Sequence, residues 1–302
     1  MAHRITIPQP DNNYIIGSSF NDLFKVIAEM ESTEDDEITW DFSNVRLLNP
    51  FFLLPLWLYK QSCGKSIKYC NMSSSLDSYL KVIHFENGFD TERCDDLESS
   101  LNSYRFKRYI PITIFPSSMD KVDFKSKVES IVGKILKNQL KLKGDLFEAV
   151  TYLISEACDN ITEHSHSDFG YIFAQYYKDK EYIDICIADR GITILGSYIN
   201  LGIEEIKTDV DALKNACIGV STKNLAEAEN RGYGIITSKE MLTDGLNGGY
   251  FLFSGGAFYR KTQNGESYVS LPENIRWDGT IVLLRIPYSQ NLKFKYLNYL
   301  EV

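Results

Sequence analysis

Glu156, Asn160 and His164 recur every fourth residue in the segment from Glu156 to His164. On a helix that spacing sets them in one polar stripe. A carboxylate in such a stripe can hold a water or hydroxyl as general base, and an amide oxygen one turn on can ligate magnesium without competing for a proton. A solvated helix face produces the same spacing, so the stripe decides little by itself. Asp189, followed by Arg190-Gly191, ends an apolar run. A carboxylate at a strand end can accept from the exocyclic amine of adenine, and the glycine permits close approach of the base. Gly232 and Gly234, within Asn230-Arg231-Gly232-Tyr233-Gly234-Ile235, precede a helical stretch from Thr237 to Leu242. Backbone N–H groups at a helix start bind phosphate, although glycines are common there without that role. Gly279-Thr280 opens a later strand, and the Thr280 hydroxyl is expected to support Asp189 from across the sheet.

These residues need elements to carry them. Phe147, Val150, Ile154, Ala157 and Ile161 fall three or four apart, so a helix from Leu146 buries one face and holds the polar stripe on its flank. A lysine-rich amphipathic helix from Phe124 to Leu142 precedes it and is broken at Gly144. Gly170–Tyr177 and Glu181–Ala188 read as strands; in the second, Ile183, Ile185 and Ile187 alternate with Asp184 and Cys186, the pattern of a sheet covered on one side. Runs at 250–253, 267–271 and 280–286 extend that sheet. Upstream, a strand at Ile38–Phe42, an apolar helix at Pro50–Lys60, an extended run at Ser66–Cys70 and a helix at Leu76–Ile83 suggest a small α/β module.

The chain has 302 residues, enough for two ordinary domains, with 44% hydrophobic and 24% charged residues. A formal net charge of −9 repels nucleic-acid backbones and anionic membranes, which argues against broad binding of either. The longest apolar run, Pro50–Tyr59, is far short of the roughly 20 residues that span a bilayer. The N-terminal residues lack a signal-peptide core, so the cytoplasm is the expected compartment. Six cysteines lie scattered without C-x-x-C spacing and are expected as free thiols.

Taken in order, Glu156-Ala157-Cys158-Asp159-Asn160 with His164, Asp189-Arg190-Gly191, Arg231-Gly232-Tyr233-Gly234 and Gly279-Thr280 resemble the successive boxes of the GHKL superfamily. That group includes DNA gyrase, heat-shock chaperones of the ninety-kilodalton class, histidine kinases and anti-sigma-factor serine kinases. The resemblance implies that ATP and Mg²⁺ are bound. Glu156 then acts on the attacking water or hydroxyl as the catalytic residue, Asn160 ligates the metal and Asp189 reads adenine. Gly232 and Gly234 lie beneath the phosphates, with His164, Gly191 and Thr280 completing the ATP-binding set. Thr222 and Lys223, preceded by Gly219 and Ser221, resemble the mobile lid of the family, expected over 208–231; a lysine in an exposed loop is the plainer account of Lys223. The E-A-x-x-N-x-x-x-H form is nearest the anti-sigma kinases and gyrase-like ATPases, and Thr193 stands where the family commonly has a second glycine. No phosphoacceptor-histidine helix is found upstream, so a histidine autokinase is not expected. The stretch Ile38–Leu48 leading into the apolar helix resembles a STAS domain, the anti-sigma-factor-antagonist fold. Its helix start, Asn49-Pro50-Phe51, has no hydroxyl to phosphorylate, which leaves docking of a protein partner as its expected role.

The expected architecture is therefore α/β (α+β). A STAS-like domain covers 1–105, a linker 106–120, a GHKL (Bergerat) sandwich 121–290 with helices on one face of a mixed, mostly antiparallel sheet, and a tail 291–302. The expected function is that of a Mg-ATP-binding regulatory protein, a slow ATPase or a nucleotide-gated switch within a complex. The alternatives are a serine/threonine kinase of the anti-sigma-factor type acting on a separate STAS partner and a non-catalytic interaction module with a vestigial pocket. Gly64-Lys65-Ser66 is not a P-loop, since Tyr59 stands where its first glycine is needed. Asp168-Phe169-Gly170 lacks the other protein-kinase motifs, and Cys158, His164 and His166 match no zinc spacing.

Overall fold

The computed structural model describes residues 3–11, 15–220, 233–288 and 294–300. The chain opens with β1 (His3–Thr6), α1 (Phe20–Ser32), β2 (Glu37–Asp41), α2 (Pro50–Ser62) and β3 (Ser66–Cys70), followed by α3 (Ser74–Val82). The three strands are parallel in the order β1-β2-β3, as strands joined through helical crossovers must be. Asn49 caps α2 by accepting from the Phe52 N–H at 2.8 Å, and Pro50 occupies the first turn, where a missing N–H costs nothing.

Next come β4 (Phe89–Asp90), α4 (Leu97–Asn102), β5 (Tyr109–Pro116), α5 (Val122–Leu140), α6 (Asp145–His164), β6 (Phe169–Tyr177) and β7 (Tyr182–Ala188). Three helices follow, α7 (Ile194–Asn200), α8 (Asp209–Cys217) and α9 (Tyr233–Glu240), the last running into one π turn at Met241–Gly245. The chain then meanders through β8 (Gly249–Gly255), β9 (Ala257–Thr262), β10 (Gly265–Ser270) and β11 (Trp277–Pro287). The result is a mixed eight-stranded sheet in the order β10-β9-β8-β11-β7-β6-β5-β4, in which β4 and β5 pair parallel and the other pairs are antiparallel.

The large sheet is covered on both faces, not on one. Ile183, Ile185 and Ile187 of β7 join a core with α5 and α6, while Cys186 and Ala188 of the same strand join a second core with α1 and α2. That second core also holds Ile5, Ile38 and Trp40 of the small sheet, so α1 and α2 lie between two sheets. This explains why α2 is apolar on all sides, with every residue from Pro50 to Tyr59 buried: a helix with sheets on both flanks has no face left for water. Asp184, whose alternation with isoleucines suggested a wet face, is buried and clamped by Arg285 at 2.7 and 2.8 Å.

The expected linker 106–120 is also different. It contains β5, an inner strand of the sheet with Ile110, Ile112 and Phe115 buried. The two prolines that suggested a connection sit where a strand tolerates them: Pro111 lies in the register shift between Ile110 and Thr113, and Pro116 ends the strand. Among the described residues, no helix is long and apolar enough to cross a membrane.

Candidate functional site

Helix α6 buries Ala149, Val150, Leu153, Ile154, Ala157, Cys158 and Ile161, which leaves Glu156, Asn160 and His164 along the edge of that face. The edge borders a cavity of about 290 Å³, near the lower end of the roughly 300–1,000 Å³ usual for ligand pockets. Into it come Glu156, Asn160 and His164 from α6, Asp189 from the end of β7, Gly234 from the first turn of α9 and Thr280 from β11. The two carboxylates, far apart in the chain, thus line one space. Asn160 makes no side-chain hydrogen bond to the described residues. His164 Nε2 lies 3.7 Å from the Glu163 carboxylate.

Asp189 is 1% exposed. Its Oδ1 accepts from the Gly191 N–H at 2.8 Å and its Oδ2 from the Thr280 N–H at 3.1 Å. Burial pushes its carboxyl up to about 7, and those two N–H donors oppose the rise. The Asp189 carbonyl accepts from Trp277 Nε1 at 3.1 Å, so its main chain is held as firmly as its side chain. Gly279 makes the approach possible: at φ +100°, a Cβ there would stand 2.5 Å from the Asp189 carbonyl oxygen.

Two expected roles take a different form. The support from Thr280 comes from its backbone N–H, while its hydroxyl lies 3.4 Å from Ser254 Oγ. Gly191 does not line the cavity; a Cβ at that position would collide with the Ser165 carbonyl, so the glycine lets the turn after β7 close on the end of α6. Thr193 caps α7 by accepting from the Gly196 N–H at 3.0 Å.

Gly232, Thr222 and Lys223 lie outside the described residues. The first part of the expected lid is α8, capped by Thr208, with Ala212, Leu213 and Cys217 buried. Asp209 at its start accepts from the Gly256 N–H at 2.9 Å and pairs with Arg276 at 3.0 Å, which pins the helix to the β8–β9 turn.

Tyr152, Tyr198 and Tyr250 also line the cavity, and sequence reasoning passed over them. Tyr152 had a signal: it stands four residues before Glu156 and extends the same stripe by one turn. On the far side of α6, Lys125, only 2% exposed, pairs with Asp159 and lies 3.5 Å from Glu129. Burial pushes Glu129 up to about 7 despite Lys125. This cluster binds α5 to α6 and does not line the cavity.

Among the described residues, no group of three or more His, Cys, Asp or Glu is placed to hold a metal ion. In comparisons with known proteins, the sequence matches no family model and no curated protein.

Proposed function

We propose that this chain is a regulatory protein of GHKL type that binds Mg-ATP in the cavity between α6, β7 and α9 and hydrolyses it slowly, with a STAS-like module at its N-terminus. The observation that carries this reading is the convergence of Glu156, Asn160, Asp189 and Gly234 on one cavity. Asp189 accepts from the adenine amine, because its two N–H donors fix both oxygens yet each oxygen keeps a further lone pair. The first turn of α9 supplies N–H groups and the positive end of a helix dipole for phosphate. Asn160 would hold magnesium, which when bound would supply positive charge to the phosphates. Glu156 takes the proton of a water whose oxygen bonds to the γ-phosphorus as the bond to the β,γ-bridging oxygen breaks. ADP departs with that electron pair. Since α2 is buried from Pro50 to Tyr59, a protein partner of the N-terminal module meets its other surfaces.

A thermal-shift titration tests the reading, because a ligand that binds only the folded state raises stability by mass action. Millimolar Mg-ATP is expected to raise the melting temperature by several degrees. Asn160→Ala should lose that shift while melting normally without ligand, and Glu156→Ala should keep the shift but release no phosphate. Label that moves from γ-labelled ATP to a protein hydroxyl in place of water would instead establish the kinase. The absence of any shift in the unsubstituted protein overturns the proposal.

A further inference from the structure

Helix α8 ends in a glycine turn that borders the cavity. Gly219 stands at φ +88°, and the Gly219 and Val220 N–H groups donate to the Ala216 and Asn215 carbonyls at 3.2 and 3.0 Å. Such paired bonds close a helix through a left-handed glycine. Val220 lines the cavity and is 39% exposed, so it stands at the mouth; Ala216, one turn earlier, lines the same space from a buried position. Two buried side chains from other elements hold this end of the helix. Lys239 of α9 donates from Nζ to the Cys217 carbonyl at 2.7 Å. Tyr198 of α7 lines the cavity and donates from its hydroxyl to the Val220 carbonyl at 2.5 Å. Burial pushes the Tyr198 phenol up, which keeps its proton in place as a donor. Beyond Cys217, Tyr198 is thus the side-chain anchor of the turn among the described residues. Its neighbour Ser197 donates to the His164 carbonyl, so hydrogen bonds cross from the end of α6 through α7 to the end of α8.

Resting on the function proposed above, we infer that Tyr198 is a positioning residue for Mg-ATP: acting through the Val220 carbonyl, it keeps the mouth of the cavity in its binding shape before the nucleotide arrives. A protein that holds its binding form only part of the time loses affinity by that fraction. Without the Tyr198 hydroxyl the Val220 carbonyl turns to water, and the mouth is open-ended for part of the population. Glu156 and Asn160 stand on α6, which is fixed by its own packing against α5 and the sheet. Once nucleotide is bound, the groups that act on it are therefore unchanged. Affinity falls, and turnover of the bound nucleotide does not.

The experiment pairs titration calorimetry of Mg-ATP with steady-state phosphate release. Tyr198→Phe removes one oxygen and keeps the ring in the cavity wall. It should weaken Mg-ATP binding about three- to tenfold, the span expected for one hydrogen bond. KM should rise by the same factor while kcat stays within about twofold. Without ligand the variant should melt within about 4 °C of the unsubstituted protein. Gly219→Ala strains the same turn, because alanine resists a positive φ, and removes no group from the cavity. It should show the same split between KM and kcat, and it carries the test alone if Tyr198→Phe does not fold. Unchanged affinity overturns this inference and leaves nucleotide binding standing. A kcat that falls as far as the affinity does the same, since that marks a general disturbance of the site. No Mg-ATP binding by the unsubstituted protein overturns both.

Discussion

Asp189 and Gly234 show how little room the cavity leaves at single positions. The Asp189 carboxyl titrates near 7 when folded and near 3.8 when unfolded, so between these values the folded chain holds a proton that the unfolded chain has lost. Stability from this group is therefore highest below about pH 4, falls as pH rises toward 7 and is flat above it. Glu129, also pushed up to about 7 by burial, acts in the same direction. Asp189→Asn, which cannot ionise, should flatten part of the fall in melting temperature between pH 5 and pH 8, and the Glu129 share should remain. An unaltered pH profile in that variant would refute the raised carboxyl. Gly234→Ala meets the end of a flexible side chain, Glu156 Oε2, which can swing aside. It should melt within a few degrees of the unsubstituted protein and release phosphate at least tenfold more slowly. Loss of the fold instead would show that the carboxylate cannot yield.

Between elements, the cavity exists because α6 and the turn after β7 are locked together at the top of the sheet. Ile192 donates to the Ser165 carbonyl at 2.6 Å, Ser197 Oγ donates to the His164 carbonyl at 2.9 Å, and Gly191 fits beneath the same Ser165 group. Gly191→Ala meets backbone, not a side chain that can rotate away. Overpacking of that kind costs about 1–3 kcal/mol, and chemical denaturation should show it as a lower midpoint at unchanged m-value. If Gly191→Ala unfolds like the unsubstituted protein, the closure is looser than described. The contrast with Gly234 is instructive: two glycines of adjacent motifs, equally crowded, are expected to fail in different assays.

In the molecule as a whole, the large sheet serves two cores, one under α5 and α6 and one shared with α1, α2 and the small sheet. Phe51, Phe52, Leu53 and Leu54 are each at most 2% exposed, and ring pairs such as Phe51–Phe251 and Phe24–Phe253 (centroids 4.9 and 4.8 Å apart) join the two halves. A fragment of residues 121–290 lacks α1, α2 and β5, so it would expose the apolar back of the sheet and the unpaired edge of β6. It should aggregate or melt without a cooperative transition, as followed by calorimetry and limited proteolysis. A fragment that melts as sharply as the full chain would show that the second core is dispensable. The same packing sets Glu31 of α1 and Tyr59 of α2 within electrostatic reach of Arg190, the neighbour of Asp189.

The elements that carry the site were legible in the sequence. The three-and-four spacing of Phe147 through Ile161 specifies which side of α6 is buried, and it thereby sets Glu156, Asn160 and His164 at the border of the core. The isoleucines of β7 likewise deliver Asp189 to a strand end. Such periodicities are local, because a side chain's direction follows from its own backbone. Residues 106–120 read as a connection because two prolines look alike in a connection and in a strand with a bulge, and only the partner strand β6 distinguishes them. The cover on the second face of the sheet was equally invisible: an apolar helix announces that it is buried, not what buries it. Thr280 was chosen for its hydroxyl, yet its main-chain N–H holds Asp189, and a backbone donor leaves no mark on residue type. Contacts between distant segments depend on where the whole chain closes, and that only the packed molecule decides.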